Sequence, residues 1–323
     1  MKFLVFGCTG FIGSQVVAQL LAKGEEVWGF SRNKGKDAAI GDDEYHHIYG
    51  DLLNSSDVGK AVNSVSPDRV IFCAGESYMH RKYSKEDLEA IYGSRVNGLG
   101  NVIDSMSPSS GVRLVTVSDA LAYTVRPRYK DEGDLPSYTE EDPIDESLWT
   151  GRIAVDLEKQ IRRAVSKDIT ASSARLGAVY GLGGLWGEMF LRSMFDKRRI
   201  RVPGNGSSIL SFVHVKDAAS ALVYLVDKAS AGETYNVVDD EPVSIHSFLS
   251  TASQVFGSPK PQFVPMSLGR VTFGALVPQL ILPAFKTSRP VSNSKLKKYD
   301  FVLAYPRFAD GLKELAKTAQ SSS

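Results

Sequence analysis

The sequence predicts an α/β fold, a doubly wound parallel sheet with helices on both faces. A short apolar run at Phe3–Phe6 is followed by helix-period apolar positions over Phe11–Leu21. This alternation of strand and helix then recurs through the first half of the chain, as it does in parallel sheets whose crossovers are helices. The further candidate strands are Glu26–Phe30, His47–Tyr49, Arg69–Cys73, Leu114–Val117 and Ile169–Arg175.

The length of the chain suits one large domain with a smaller appended lobe, because 323 residues can bury a substantial core. We assign residues 1–175 to the first domain and 176–323 mostly to the lobe. Ser84, with Asp87 three positions later, predicts the N-cap of a helix. The segment Tyr123–Leu148 is rich in Pro, Gly and acidic residues without periodicity, which predicts a long surface loop.

The composition is that of an ordinary globular protein, with 43% hydrophobic residues and a formal net charge of +1. Such a charge offers no field to steer polyanions, so we do not expect nucleic acid as a partner. We expect no transmembrane segment and no secretory signal, hence a cytoplasmic protein, or an organellar one whose presequence has been removed. Cys8 and Cys73 are far apart in sequence, which predicts free thiols and no metal site.

The stretch "FLVFGCTGFIGSQVV" places three glycines, Gly7, Gly10 and Gly13, between the first strand and the first helix. A tight turn without Cβ atoms lets the backbone approach a pyrophosphate, and the helix N-terminus offers unpaired N–H groups to the anion. The alternative is a plain glycine turn. We predict a dinucleotide site whose other residues in this turn are Thr9, Phe11 and Ile12.

The end of the second strand, "VWGFSRNKGK", indicates which dinucleotide is bound. A carboxylate there would bind the ribose hydroxyls of NAD, whereas Arg32, helped by Ser31 or Lys34, can pair with a 2′-phosphate. NADP(H) is therefore favoured over NAD(H). The alternative is that Arg32 and its neighbours form a solvated loop.

Two later stretches supply the remaining contacts predicted for this cofactor. "YGDLLN" provides Asp51 and Leu52, which suit the edge and the face of an adenine. "VIFCAG" provides small residues beneath the cofactor, namely Cys73, Ala74 and Gly75.

Together with later motifs, these residues resemble the extended short-chain dehydrogenase/reductase family, specifically its NAD(P)-dependent epimerase/dehydratase group. The later motifs are "RVNGLGNVI", "RLGAVYG", "PGNG", "FVHVKDAASAL" and "GETYNVVDDEPVS". The resemblance covers nearly the whole chain. It implies a Rossmann domain with a smaller C-terminal substrate lobe, with about 208–240 returning to the Rossmann domain. It also implies a small-molecule substrate, a homodimer, and cofactor contacts at Asn97, Ser118 and Gly177.

The resemblance fails at the residues that carry the family's chemistry. That chemistry uses a tyrosine and, four residues later, a lysine that lowers the tyrosine pKa, because a free phenol with a pKa of about 10 is a poor base. Anchored on the family glutamate at Glu158, the two positions hold Thr150 and Ala154; shifted by one, they hold Trp149 and Ile153. Both registers lack the dyad.

Four other residues are candidates for a proton donor, namely Ser118, Asp119, Tyr123 and Tyr78. Ser118 matches a family serine near the cofactor, while Asp119 stands where counting back from Tyr123 places the catalytic Ser or Thr. Tyr123 itself is a further candidate. A Tyr-x-x-x-Lys string occurs at Tyr78 to Lys82 but in the wrong part of the pattern, so we interpret it as chance. The alternative is that Tyr78, His80 or Lys82 reaches the nicotinamide face and supplies a relocated acid.

The second half of the chain bears on the substrate. Leu210 stands where relatives acting on nucleotide sugars place an arginine, and leucine cannot pair with a diphosphate. Arg289 and Arg201 are interpreted as surface charges or helix caps, the alternative being a second family arginine at Arg289. The apolar Val271–Phe285 is interpreted as a buried cap rather than a wall for an apolar substrate or a membrane contact, and "TVRPRYK" as a solvated loop.

Two functions remain open on the sequence alone. The first is an NADP(H)-dependent oxidoreductase or epimerase-like enzyme of atypical mechanism, acting on a small carbonyl or hydroxyl compound or an apolar substrate. The second is a catalytically inactive cofactor-binding protein with a structural, sensing or RNA-associated role. The first predicts substrate-dependent NADPH oxidation, and an RNA role predicts affinity that collapses with salt.

Overall fold

The computed structural model of the chain describes residues 1–32, 44–76, 84–107, 111–125, 136–267 and 282–320. Its strands are β1 (Lys2–Phe6), β2 (Glu26–Ser31), β3 (Tyr45–Tyr49), β4 (Arg69–Phe72), β5 (Arg113–Asp119), β6 (Thr170–Leu176), β7 (Ala178–Tyr180), β8 (Arg201–Pro203), β9 (Ile209–Leu210), β10 (Phe212–His214), β11 (Thr234–Val237), β12 (Val243–Ser244) and β13 (Gln262–Val264).

The α-helices alternate with these strands through most of the chain. They are α1 (Phe11–Leu21), α2 (Ser55–Val65), α3 (Lys85–Tyr92), α4 (Gly98–Ser105), α5 (Trp149–Val165), α6 (Gly184–Trp186), α7 (Arg192–Phe195), α8 (Val215–Lys228), α9 (Ile245–Phe256), α10 (Leu282–Lys286), α11 (Ser294–Lys297) and α12 (Phe308–Gln320). A π-helical turn at Gly93–Asn97 joins α3 to α4. The predicted cap of α3 is present, since Ser84 and Asp87 form a reciprocal capping box.

Seven strands form one sheet in the order β11-β6-β5-β4-β1-β2-β3, and every neighbouring pair is parallel. The chain runs outward from β1 through β2 to β3, then returns to the other side of β1 at β4. The carboxyl ends of β1 and β4 therefore flank a crevice where the strand order reverses, which is where such sheets bind ligands. The predicted doubly wound parallel sheet is confirmed.

The two faces of the sheet are covered by different helices. On one face, α1 and α8 bury Val16, Leu20 and Leu222 against β1 and β5. On the other face, α2, α4 and α5 bury a second apolar cluster that includes Leu99 and Leu157. Each such side chain contributes about 1.5–3 kcal/mol by leaving water. Packing of the helices on the sheet, rather than helix formation by itself, therefore supplies most of the stabilisation.

The remaining short strands and helices form a separate apolar cluster. Its centre is aromatic: the rings of Phe212 and Phe248 stack at 3.9 Å, and Trp186 packs edge-on against Phe212. The chain does not stay in this lobe, because β11 pairs with β6 at the edge of the large sheet. The lobe is thus interrupted by a strand of the other domain.

Residues 136–148 of the predicted surface loop contain no helix or regular strand and are exposed or half-buried, with the exception of Tyr138. Its described part is anchored by Tyr138, which is buried, stacks on Tyr123 at 5.2 Å and bridges to Val291. Sequence composition missed this because a single buried aromatic in a polar segment leaves no periodic pattern.

The C-terminal segment is held by one buried carboxylate at the start of α8. Asp217 accepts the backbone N–H groups of Ala304 and Tyr305, each at 2.8 Å. The carboxylate is only 1% exposed. The two hydrogen bonds therefore offset part of the cost of taking this charge out of water.

Asp239 gives the protein a pH-dependent stability. Its side chain is 1% exposed, and no described residue bonds its Oδ2 atom. Burial, and then the neighbouring carboxylates of Asp240, Glu241 and Asp217, raise the Asp239 pKa to about 8. An aspartate in the unfolded chain has a pKa of about 3.9, so above about pH 4 the unfolded state loses a proton that the folded state keeps. The free energy of unfolding therefore falls as the pH rises from about 4 to about 8.

We therefore expect Asp239→Asn, which cannot ionise, to gain stability relative to the wild type between pH 6.5 and pH 8.5. Thermal unfolding of both proteins across that range measures the difference in Tm. This range lies above the titration of His214, whose pKa burial lowers to about 4. A difference in Tm that stays constant with pH would contradict the expectation.

Candidate functional site

The glycine turn after β1 has a geometry that side chains would disrupt. Gly7 has a φ of +84°, and a Cβ built there would lie 2.7 Å from the Ala74 Cα atom. A Cβ on Gly13 would lie 2.0 Å from the Gly7 carbonyl oxygen. These two glycines therefore let the turn, the start of α1 and the end of β4 pack backbone against backbone.

The N-terminus of α1 is arranged to receive an anion. Its N-cap is Gly10, which provides no side chain, and the first turn contains no acidic residue. The first-turn N–H groups thus have no side-chain cap, and the helix dipole adds partial positive charge. This site fits the pyrophosphate of a dinucleotide, since such groups bind where backbone N–H donors converge.

A groove of about 200 Å³ extends from this turn along the carboxyl ends of the strands. The predicted cofactor residues that line it are Gly7, Thr9, Gly10, Ser31, Arg32, Asp51, Leu52, Cys73, Ala74 and Gly75. They come from the ends of β1, β2, β3 and β4, which the parallel sheet aligns at one edge.

Other predicted cofactor residues lie outside this groove. Phe11 packs its ring against the glycine-rich loop after β7, where a Cβ on Gly184 would lie 2.4 Å from the ring. Ile12 is half-buried against the core. Asn97 is exposed and lines a different cavity, between α3 and α5. Gly177 is buried, and its Cβ would lie 2.5 Å from the Ser211 carbonyl oxygen, so packing accounts for it.

Sequence reasoning missed several residues of the groove: Phe30, Gly50, Leu53, Glu76, Ala90 and Ser94. Glu76 directly follows the predicted Gly75, so its position in the chain was an available signal. Ser94 accepts the Glu76 backbone N–H at 2.8 Å, which joins the π-helical turn to the groove. No sequence pattern marks Ala90 or Ser94, because only tertiary packing brings α3 to this edge.

The groove contains an ion pair between Arg32 and Glu76, with Nη2 to Oε2 at 2.7 Å. The Arg32 side chain is 61% exposed, so the pair is screened by water and weak. Arg32 thus lies at the groove with most of its side chain exposed. Lys34, the string Tyr78 to Lys82 and the basic cluster at 126–130 lie outside the described residues, as does most of the apolar stretch at 271–285.

Tyr123 is placed in the interior rather than in the groove. Its hydroxyl donates to Asn236 Oδ1 at 2.7 Å and accepts from Arg175 Nη1 at 2.8 Å. Burial raises the Tyr123 pKa to about 12, against the opposing charge of Arg175. A buried phenol that is bonded on both sides is not positioned to exchange a proton with a substrate, which argues against the proton-donor role considered for Tyr123.

Ser118 and Asp119 end β5 near the same edge of the sheet. Asp119 accepts the Leu121 N–H at 2.7 Å, and burial raises its pKa. Ser118 is 6% exposed and donates to Glu158 at 3.5 Å, which is a weak bond. The hydrogen bond of Asp119 is therefore the stronger of the two, and it uses only the Oδ1 atom.

The orientation of α5 is set by Glu158. Arg175 donates two hydrogen bonds to this carboxylate, from Nε at 2.7 Å and from Nη2 at 2.9 Å, and both side chains are largely buried. At helical spacing the same face carries Ala154 and Thr150. Trp149 lies on another face, against Tyr92 and the apolar cluster of α4.

The structure corrects the interpretation of Arg289 as a surface charge or a helix cap. It is 2% exposed, its Nε donates to the Tyr123 carbonyl at 3.0 Å, and burial lowers its pKa. Leu210 forms an isolated β-bridge with the backbone of Arg289, and its side chain is fully buried. Arg201 is exposed. Nothing in the local sequence distinguished the two arginines, because burial here comes from contacts between distant segments.

Neither cysteine forms a disulfide; Cys8 is buried, and burial raises the Cys73 pKa to about 12. Across the described part of the chain, no three His, Cys, Asp or Glu side chains are placed to hold a metal ion. Nor does any helix in the described ranges have the length and apolar character to cross a membrane.

The model of the NAD dependent epimerase/dehydratase family matches residues 3–238. A Streptomyces 3-diazoavenalumate denitrifying reductase is 27% identical, over 97% of this chain and 99% of that protein. Thermus thermophilus UDP-glucose 4-epimerase in complex with NAD superposes with a TM-score of 0.80 at 21% identity, covering 100% of each chain. A human epimerase family protein with NADPH gives a TM-score of 0.76 at 19% identity, covering 98% of this chain and 99% of that one.

Proposed function

The chain belongs to the NAD dependent epimerase/dehydratase family, and from this premise we propose that it is an NADP(H)-dependent oxidoreductase of atypical mechanism. The proposed substrate is a small carbonyl or hydroxyl compound or an apolar molecule. The observation that carries the proposal is the groove itself, which is lined by the glycine turn before the uncapped N-terminus of α1 and by Arg32, whose side chain is largely exposed.

In this proposal the first-turn N–H groups of α1 bind the pyrophosphate, and Arg32 pairs with the 2′-phosphate. Asp51 and Leu52 contact the adenine, while Cys73, Ala74 and Gly75 form the floor. When bound, the nicotinamide would supply the hydride donor or acceptor. The chain's own task is to hold the reacting carbon in line with it and to exclude water.

The proton must then come from a group other than the family dyad. The face of α5 that carries Glu158 supports the register in which Thr150 and Ala154 take the family positions, and alanine carries no charge. Asp119 is our proposed donor, because burial raises its pKa towards the range where a carboxylic acid can give a proton. Loss of a general acid lowers the reaction rate about 10²–10⁴-fold. Positioning of the substrate against the cofactor would therefore supply much of the remaining rate acceleration.

The substrate is proposed to lack a diphosphate. Leu210 lies in the apolar cluster of the lobe, fully buried, at the position where nucleotide-sugar relatives place an arginine. An apolar side chain in that position leaves a diphosphate unpaired, which would cost binding energy. This supports a smaller or more apolar substrate.

The first test compares nucleotide binding by the wild type and by Arg32→Ala, each measured by fluorescence titration. We expect Arg32→Ala to weaken NADPH binding about tenfold, because it removes a charge-assisted hydrogen bond at a partly exposed site, and to leave NADH binding unchanged. Glu76→Gln is the matched control, since it removes the carboxylate that pairs with Arg32 and should not weaken NADPH binding. Absence of binding by either nucleotide to the wild type would overturn the proposal.

A further inference from the structure

A cluster of cations lies on the C-terminal lobe, on segments that do not line the cofactor groove. These segments, 187–206 and 257–267, contain six Lys and Arg side chains and two carboxylates, so their formal net charge is +4. The whole chain has a formal net charge of only +1, so the remaining residues together are negative. Positive charge is thus concentrated on one part of the lobe.

Three of these six cations are already engaged by the protein. Arg192 pairs with Glu188 at 3.3 Å and Arg198 with Asp196 at 3.5 Å, so both carboxylates of the cluster have a partner. The Lys197 ammonium donates to a backbone carbonyl oxygen at the end of α9. The side chains of the other three cations are exposed and have no ion-pair or hydrogen-bond partner among the described residues. We call these three the basic face: Arg199, Arg201 and Lys260.

The pairing of β8 with β13 brings the basic face together. Along β8 and just before it, the buried Ile200 and Val202 alternate with Arg199 and Arg201, so both arginines project to the exposed side. The backbone of β13 donates to the Ile200 carbonyl oxygen at 3.0 Å, so the parallel pairing continues before β8. Lys260 lies two residues before the partner of Arg201 in that register. The three cations therefore share one surface of this small sheet.

We propose that the basic face docks the lobe on an anionic lipid surface. Cations without a protein partner keep their charge for such a surface, where each Lys or Arg near the headgroups strengthens binding about fivefold. Three of them would strengthen it about 100-fold. The attraction fades within roughly 8 Å at physiological salt, so this docking is reversible and sensitive to salt. It goes beyond the proposed function and does not depend on the cofactor.

The sequence next to the basic face favours a lipid surface over a nucleic acid. Residues 271–281, "VTFGALVPQLI", contain no charged side chain. The described segments on either side of them, β13 and α10, belong to the lobe, and Phe285 of α10 packs on Trp186 at 6.0 Å. Membrane-surface segments combine cations with apolar residues, whereas single-strand binding surfaces combine cations with several aromatic residues. The composition here matches the first class.

The test is sedimentation of the full chain with phosphatidylcholine vesicles, with and without phosphatidylserine, at low and at high salt. A duplex oligonucleotide is titrated in parallel to measure binding to a nucleic acid. The variant of the basic face replaces its three cations by neutral side chains of similar polarity: Arg199→Gln, Arg201→Gln and Lys260→Gln.

The matched control removes three other exposed lysines, all of them on the large domain and without an ion-pair partner among the described residues. Its substitutions are Lys23→Gln, Lys60→Gln and Lys228→Gln. The two triple variants have the same net charge, so they differ only in where the charge was removed. Thermal unfolding of both should match that of the wild type, because all six side chains are exposed.

We expect the wild type to sediment with the vesicles that contain phosphatidylserine, less at high salt, and not with phosphatidylcholine alone. The partition coefficient should fall about 100-fold in the variant of the basic face. The control variant should bind like the wild type, because its charges lie on another domain and are screened by salt.

A wild type that does not sediment with either kind of vesicle would overturn the proposal. Equal losses in the two triple variants would also overturn it, because net charge rather than the basic face would then drive binding. Binding to the oligonucleotide that needs the basic face, without binding to vesicles, would identify a nucleic acid as the partner instead. None of these outcomes bears on NADPH binding, so the proposed function stands or falls separately.

Discussion

Replacing Gly13 by alanine is expected to abolish measurable cofactor binding, with a loss of at least about 100-fold in affinity. The new Cβ would lie 2.0 Å from the Gly7 carbonyl oxygen and 2.7 Å from its carbon, both of them backbone atoms that no rotamer change can move. The turn must shift by roughly 1 Å, and a displacement of that size removes N–H donors from their productive positions. Isothermal titration with NADPH measures the loss.

The control for this variant is Gly59→Ala, in α2. A Cβ there has Ser105 Oγ as its nearest neighbour, at 3.7 Å, which is an ordinary contact. Alanine is favoured over glycine inside a helix by about 0.5–1 kcal/mol, so this variant should be as stable as the wild type or more so and bind normally. NADPH binding by Gly13→Ala at wild-type affinity would refute the role of the glycine turn.

Replacing Arg175 by methionine is expected to destabilise the protein by about 3–5 kcal/mol. Arg175 holds the Glu158 carboxylate through two nitrogens and donates to Tyr123 and to the Glu140 carbonyl oxygen. Without it, a carboxylate that is 12% exposed loses its partner. Urea unfolding with a shared m-value gives the difference in the free energy of unfolding.

The comparison that isolates the ion pair is the double variant Arg175→Met with Glu158→Met. Removing both charges leaves no unpaired buried carboxylate, so the double variant should be more stable than Arg175→Met alone. A double variant that is less stable than the single one would show that packing, not the stranded charge, dominates at this position.

Local sequence patterns predicted the parts of the molecule that local interactions determine. The bounds of α1 and the glycine turn agree with the structure because the apolar period and the glycines both lie within one segment. Strand β3 begins at Tyr45, two residues before the predicted start at His47. The local sequence does not mark Tyr45 as a strand residue, because its neighbours Cys8 and Gly29 belong to other segments of the chain.

Features that depend on distant segments were not accessible in this way. Gly177 lies within a sequence motif, yet the space left by its missing side chain accommodates the Ser211 carbonyl oxygen and is not part of the groove. Arg289 looks like any surface arginine until the Tyr123 carbonyl, far away in sequence, is brought to its Nε atom. The groove residues from α3 belong to the same class, because a helix face acquires its neighbours only when the sheet is complete.

The bond between Asp217 and the backbone at Ala304 and Tyr305 also orders events during synthesis. Strands β1 to β6 can each add to a neighbour already made as the ribosome proceeds, and domains generally fold in that direction. Asp217, however, emerges 87 residues before Ala304. Until Ala304 and Tyr305 have been made, the Asp217 carboxylate lacks both of these backbone donors. We therefore expect the segment at Ala304 and Tyr305 to dock on the start of α8 only after the first six strands have been made.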